Sequence, residues 1–132
     1  MKLPLVRTKI QTRYSDTDAL GHISSGSYVT FMEVGRLEFY NQITEQTGLD
    51  LTTVVVNINL DYFKECRYGD EIEVISWCSK VGSKSLVISA RILANKELVA
   101  EGSSTNVAFD TDSRSSIALP ENFEPSADQD PR

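Results

Sequence analysis

A chain of 132 residues has room for one ordinary domain and not for two. Hydrophobic residues make up 40% and charged residues 24%, the balance of a globular chain able to bury a core. The net charge of −6 excludes a surface built broadly for nucleic acid or for an anionic membrane, since both demand a surplus of Lys and Arg, but leaves room for a local basic patch facing one phosphorylated ligand.

In chain order, residues 1–7 lack the apolar core of a secretory signal, and no apolar run reaches the length of a membrane span, so a cytoplasmic protein is expected. Val6, Thr8, Ile10, Thr12 and Tyr14 alternate with Arg7, Lys9, Gln11 and Arg13, which predicts a strand with one wet face. From Ser15 to Gly26 the chain is rich in Ser, Asp and Gly and turns. Tyr28, Phe31, Met32, Gly35 and Phe39 then recur at helical spacing, with Val34 and Leu37 widening the stripe. So broad an apolar face predicts a helix enclosed by other structure. Gly35 costs about 1 kcal/mol against Ala in a helix interior, which points to a close backbone approach there. The helix is expected to end at Thr47-Gly48, where Gly supplies a left-handed exit.

Beyond Gly48 only strand patterns remain. Val54, Val56, Ile58, Leu60 and Tyr62 alternate with Asn57, Asn59 and Asp61, and Ile72, Val74 and Ser76 with Glu71 and Glu73. A further strand runs through Leu86, Ile88, Ala90 and Ile92, and a last one from Leu98 to about Phe109. Tyr68-Gly69-Asp70, Gly82-Ser83 and Asn95-Lys96 mark the turns between them. The fold class is therefore α+β: one long helix against a curved antiparallel sheet of about five strands. Ile75, Trp77, Val87, Leu93 and Val99 fall off the inward register, which predicts self-association through the sheet's outer face. A single domain spans residues 1–119. The acidic, Pro-containing stretch 120–132 is expected to be a disordered tail.

Chemistry concentrates in one loop. Asp16, Asp18 and His22, the chain's only His, lie within seven residues between the first strand and the helix. Such residues serve turn geometry and helix capping as readily as catalysis. An EF-hand is excluded, because Asp16-x-Asp18 is followed neither by a third ligand nor by the closing Glu. Cys66 and Cys78 have no metal-ligand spacing, so free thiols and no metal site are expected.

Asp16-Thr17-Asp18-Ala19-Leu20-Gly21-His22-Ile23, followed by Tyr28 and Phe31-Met32-Glu33-x-x-Arg36, resembles the signature of the 4-hydroxybenzoyl-CoA thioesterase-like branch of the hotdog superfamily. Leu60-Asp61-Tyr62 with Arg67-Tyr68-Gly69-Asp70-Glu71-Ile72, and Glu97-Leu98-Val99-Ala100-Glu101-Gly102, resemble that family's later strands. The likeness runs over roughly residues 5–120. It implies a hotdog fold and hydrolysis of an acyl-CoA thioester. Asp18 would be nucleophile or general base, and a helix-start amide, that of Ser25, would be the oxyanion donor. The physical logic is sound, since helix N-termini present unpaired N–H groups and the positive end of the helix dipole. Asp16, Gly21 and His22 would then frame the loop.

Many such relatives carry two Asn residues where this chain has Ser24 and Ser25, a departure that bears on acyl specificity and water placement. The resemblance further implies a substrate site shared between subunits of a homodimer or homotetramer. Tyr28, Asn59 and Tyr62 are candidate substrate contacts, Tyr62 and Asn59 with Asn57 as residues that could reach a neighbour's site, while Ser83, Lys84 and Ser85 would meet the CoA phosphates with hydroxyls, a cation and turn amides. CoA enters as part of the substrate, so no separate cofactor is expected, and acyl carrier protein is an alternative thiol carrier. Two rival readings keep the fold. One is a hydratase or dehydratase, whose differently spaced Asp–His pair this loop does not match. The other is a non-catalytic acyl-CoA-binding protein, against which the Asp18 carboxylate argues.

Overall fold

The helix, α1, runs from Ser25 to Thr47 in the computed structural model, which describes residues 1–127. Gly48 ends it at φ 76°, its N–H closing on the Thr44 carbonyl at 2.8 Å. The strands are β1 (Leu5–Ile10), β2 (Thr53–Tyr62), β3 (Ile72–Val81), β4 (Ser85–Ala94), β5 (Glu97–Asp110) and a two-residue β6 (Ser115–Ser116). They form one antiparallel sheet in the order β1-β3-β4-β5-β2, with β6 pairing to β5. This is the expected α+β architecture.

The helix packs across β1, β3 and β4. Gly35 marks the closest approach: a Cβ there would stand 2.6 Å from Ser76 Oγ and 2.8 Å from Val74 Cγ1. The N-terminal half of α1 sends Tyr28, Phe31 and Met32 into a core with Val74 and Ile92. The C-terminal half sends Phe39 and Ile43 into a second group with Leu86 and Ile88. Phe39 and Ile43 are fully buried, and each such side chain contributes about 1.5–3 kcal/mol.

Three expectations are corrected. The first strand stops at Ile10, and residues Tyr14–Asp16 form a 3-10 turn. The alternation through Thr12 and Tyr14 is overridden because Asp16 Oδ2 accepts the Arg13 N–H at 2.8 Å and bends the chain.

The domain does not end at residue 119. Leu119 and Phe123 are buried in the second core group, and Ser126 is buried against β3, its N–H donating to the Cys78 carbonyl and its Oγ accepting the Cys78 N–H. Two apolar anchors and this backbone pairing outweigh the acidic composition. Residues 128–132 of the expected tail lie outside the described residues.

The third correction concerns the sheet's outer face, which is less apolar than the register implies. Ile75 and Trp77 are buried within the chain, with the Arg91 guanidinium 5.8 Å from the centre of the Trp77 ring, and Val99 belongs to the core beneath α1. The exposed apolar residues lie instead on β2, at Val54, Val55, Val56 and Ile58. This strand is an edge of the sheet, bulged between Val55 and Asn57.

Candidate active site

The loop between β1 and α1 folds on its own backbone. Thr17 and Ile23 form an isolated antiparallel bridge, and inside it the Asp18 N–H donates to the His22 carbonyl at 2.8 Å. Gly21 takes φ 81°, a left-handed conformation that costs other residues about 1–2 kcal/mol. Asp18 is exposed, and its Oδ1 accepts the N–H groups of Leu20 at 2.8 Å and His22 at 3.1 Å. Both bonds end on the same oxygen. Among the described residues, Asp18 Oδ2 accepts none.

Asp16 occupies the opposite environment. It is 4% exposed, accepts the Arg13 backbone N–H and the Arg13 guanidinium at 3.1 Å, and its own carbonyl takes the Ser24 N–H and the Ser27 hydroxyl. Burial opposes its ionisation most strongly. The hydrogen bonds and charge of Arg13, with the Ser27 hydroxyl, outweigh that burial and hold the carboxyl below its ordinary range. The His22 ring points elsewhere, with Nε2 3.4 Å from Glu65 Oε2.

Helix α1 begins at this loop. Ser25 and Gly26 hold its first two positions, whose N–H groups have no carbonyl a turn earlier to bond. Ser24, at the cap, makes no side-chain bond to the backbone; its hydroxyl pairs with that of Ser27 at 2.9 Å. Beside this helix start lies a cleft of about 300 Å³, with Ile23, Ser25, Tyr28, Tyr62 and Phe63 among its walls. The Tyr62 hydroxyl donates to the Ser25 carbonyl at 2.8 Å, and the Tyr62 ring meets Tyr28 edge-on, centres 5.0 Å apart. Tyr28 in turn places its hydroxyl 3.0 Å from Cys66 Sγ. Burial raises the pKa of both groups, so phenol and thiol stay protonated at neutral pH.

The structure thus brings Ser25, Tyr28 and Tyr62 together, with Asp18 exposed on the adjoining loop and not in the cleft wall. Asn59 lies elsewhere. Three residues before Tyr62, it is on the other face of β2 and donates to Ser103 Oγ at 2.8 Å. Ser83, Lys84 and Ser85 lie at the far end of the sheet, where β4 starts beside the core group of the C-terminal half of α1. One chain alone does not bring them to the cleft.

Sequence reasoning missed the segment that closes the cleft. Phe63 and Lys64 both donate their N–H to the Val99 carbonyl, Lys64 Nζ reaches Glu97 at 2.8 Å, and the Cys66 carbonyl takes the Ile23 N–H. Nothing in local spacing links residues 62–66 to Ile23 and Ser25. The Arg13–Asp16 brace left a faint signal, an Asp three residues after a possible turn start. Among the described residues, no group of three or more His, Cys, Asp or Glu could hold a metal ion.

The chain is similar to known proteins over most of its length. The chain is 28% identical over 119 residues to the long-chain acyl-CoA thioesterase FadM of Escherichia coli (strain K12), covering 86% of this chain and 90% of that protein. A structure described as a predicted thioesterase from Bacillus stearothermophilus superposes with a TM-score of 0.80 at 28% identity, covering 89% of this chain and 90% of that one. A thioesterase from Thermus thermophilus, solved with coenzyme A and Zn, gives a TM-score of 0.76 at 26% identity, covering 90% and 93%. The family model described as thioesterase-like superfamily matches residues 12–125, and with nearly the whole domain matched the chain belongs to that superfamily.

Proposed function

We propose that this chain hydrolyses acyl-CoA thioesters to the free acid and CoA, with Asp18 as the carboxylate that delivers the attacking oxygen. One observation carries the reading: Asp18 Oδ1 is fastened by two backbone N–H groups, while Oδ2 of this exposed carboxylate accepts none among the described residues, on the loop leading to the helix start. A carboxylate held this way keeps its direction without spending both oxygens on structure.

As general base, Asp18 takes a proton from water while the water oxygen bonds to the thioester carbon. The carbonyl oxygen becomes an oxyanion, stabilised by the Ser25 N–H at the positive end of α1. The carbon–sulfur bond then breaks, and the CoA thiolate leaves and is protonated. As nucleophile, Asp18 would first form an acyl anhydride that water then opens, with the same products. Neither route calls on a cofactor beyond the CoA of the substrate. The aromatic cleft beside Ser25 would take the acyl group. The matched thioesterases and the absence, among the described residues, of any helix long and apolar enough to cross a membrane fit action on a dissolved substrate in the cytoplasm.

The functional unit would be a homodimer, or a tetramer built from it. Strand β2 has one unpaired edge, exposes Val54, Val56 and Ile58, and borders a groove of about 590 Å³ towards Val34 and Leu37 of α1. A second copy pairing antiparallel through β2 would cover this surface and remove the free edge. Because Thr53 and Val54 pair with Ala108 and Val107 near the start of β4, that pairing would carry the partner's β3–β4 turn towards the first copy's cleft. Ser83, Lys84 and Ser85 would then serve the neighbour's CoA.

Thiol release from short, medium, long and aromatic acyl-CoAs, and from an acyl carrier protein thioester, tests the reading. Turnover of at least one class is expected. Binding without thiol release from any member would replace the reading with an acyl-CoA-binding protein. Water addition to an enoyl-CoA with the thioester intact would replace it with a hydratase.

A further inference from the structure

We infer that Tyr62 is a positioning residue for this chemistry: its phenol braces the first turn of α1 from outside and so aims the helix-start amides at the cleft. The inference rests on the thioesterase reading for its catalytic consequence, and on the fold alone for the brace.

The helix start is fastened on its loop side, where the Asp16 carbonyl takes the Ser24 N–H and the Ser27 hydroxyl, but its first two residues are not held there. Its cap residue, Ser24, gives no side-chain bond to a backbone N–H, a loss that typically weakens a helix start. Its second position is Gly26, where a Cβ would meet nothing within 4 Å, so neither packing nor a side chain limits its backbone. Among the described residues, no loop side chain bonds the Ser25 or Gly26 backbone, so the loop contacts at Ser24 and Ser27 leave the direction of those amides to be set from elsewhere.

Tyr62 supplies what is missing. Its hydroxyl donates to the Ser25 carbonyl at 2.8 Å across 37 residues of sequence. That carbonyl shares a rigid peptide plane with the Gly26 N–H, so holding the oxygen fixes the direction of the next amide. The Ser25 N–H lies one residue back on the same turn.

Tyr62 is itself well held. It is the last residue of β2, pairs with Ala100, and is followed by Phe63 and Lys64, both bonded to the Val99 carbonyl. Its ring lies edge-on to Tyr28, which is buried and fastened to Cys66. The brace therefore ties the helix start to the end of the edge strand.

Tyr62→Phe removes the bond and keeps the ring, so packing against Tyr28 survives. Two readings of parent and variant decide the matter. The first is amide hydrogen exchange without substrate, followed at Val29, whose N–H closes the first helical turn on the Ser25 carbonyl. Exchange there is expected to quicken about tenfold, the loss of one hydrogen bond, with amides in β3 and β4 unchanged. The second is steady-state thiol release on the best acyl-CoA: kcat is expected to fall about tenfold with KM within about twofold. A higher KM with unchanged kcat and unchanged exchange would overturn the inference and make the phenol a substrate contact. Unchanged exchange overturns the brace in any case. If the parent releases no thiol, the thioesterase reading and the catalytic consequence fall together, and the exchange result still decides whether the brace exists.

Discussion

Asp18 and His22 are bonded to each other twice: the Asp18 N–H donates to the His22 carbonyl at 2.8 Å, and the His22 N–H donates back to Asp18 Oδ1 at 3.1 Å. The pair closes the loop with backbone and carboxylate, while the imidazole turns away to Glu65. What His22 gives Asp18 is therefore its backbone, which any residue but proline would supply at position 22. The ring clamps the loop to the segment ahead of β3, where His22 also bridges Arg67.

His22→Ala should accordingly lower kcat by less than tenfold, because the amide that orients Asp18 is kept. A general base removed outright costs about a hundred- to ten-thousandfold. Steady-state kinetics on the best acyl-CoA would separate the two, and a loss in the larger range would transfer the base role to the imidazole.

Asp16 should impose an acid limit on the fold. Its carboxyl lies below the ordinary value of 3.8 because, although burial opposes its charge most strongly, Arg13 and Ser27 outweigh the burial. A depressed folded-state pKa adds stability that is complete above the unfolded value and lost as pH falls through the folded one. Melting temperature should therefore drop as pH passes below about 3.8, and the drop should be shallower in Asp16→Asn. At neutral pH Asp16→Ala should cost about 1–3 kcal/mol, since it removes the bonds that the Arg13 N–H and guanidinium make to the carboxylate. Thermal melts of the three proteins from pH 2 to 7 check both statements.

Gly102 should be the least replaceable residue of β5. A Cβ there would stand 2.1 Å from the Asn59 carbonyl oxygen and 2.9 Å from Leu60 Cα, both backbone atoms that no rotamer change can move aside. Gly102→Ala should destabilise the fold by about 3 kcal/mol or more and disturb β2 first. Since β2 carries the proposed pairing edge and ends in Tyr62, sedimentation should show loss of oligomer along with loss of activity. Amide exchange should quicken along β2 and β5 before β3.

Much of the fold was legible because its signals are local. The helical stripe of Tyr28, Phe31, Met32 and Phe39, the exit at Gly48 and the close approach at Gly35 each follow from side-chain spacing or backbone freedom, although Val34 and Leu37, expected to widen that stripe, are exposed. The errors came where a distant or competing bond wins. Thr12 and Tyr14 continue a strand pattern that the Asp16–Arg13 bond cuts short. Phe123 looks isolated in an acidic stretch, yet it fills the core beside Phe39 and Ile43. In the candidate site, the division between a buried Asp16 and an exposed Asp18 needs the chain's path, because both are Asp in one loop. The bond from Tyr62 to Ser25 spans two elements that composition and period treat separately.

The central claim is that the Asp18 carboxylate performs the attack, and Asp18→Asn tests it most directly. The amide oxygen of Asn can still accept the Leu20 and His22 N–H groups, so the loop and the melting temperature should hold while the charge and basicity are lost. On the best acyl-CoA, kcat should fall by about a hundredfold or more with KM little changed. Equal turnover by parent and variant, with both fully folded, would contradict the account.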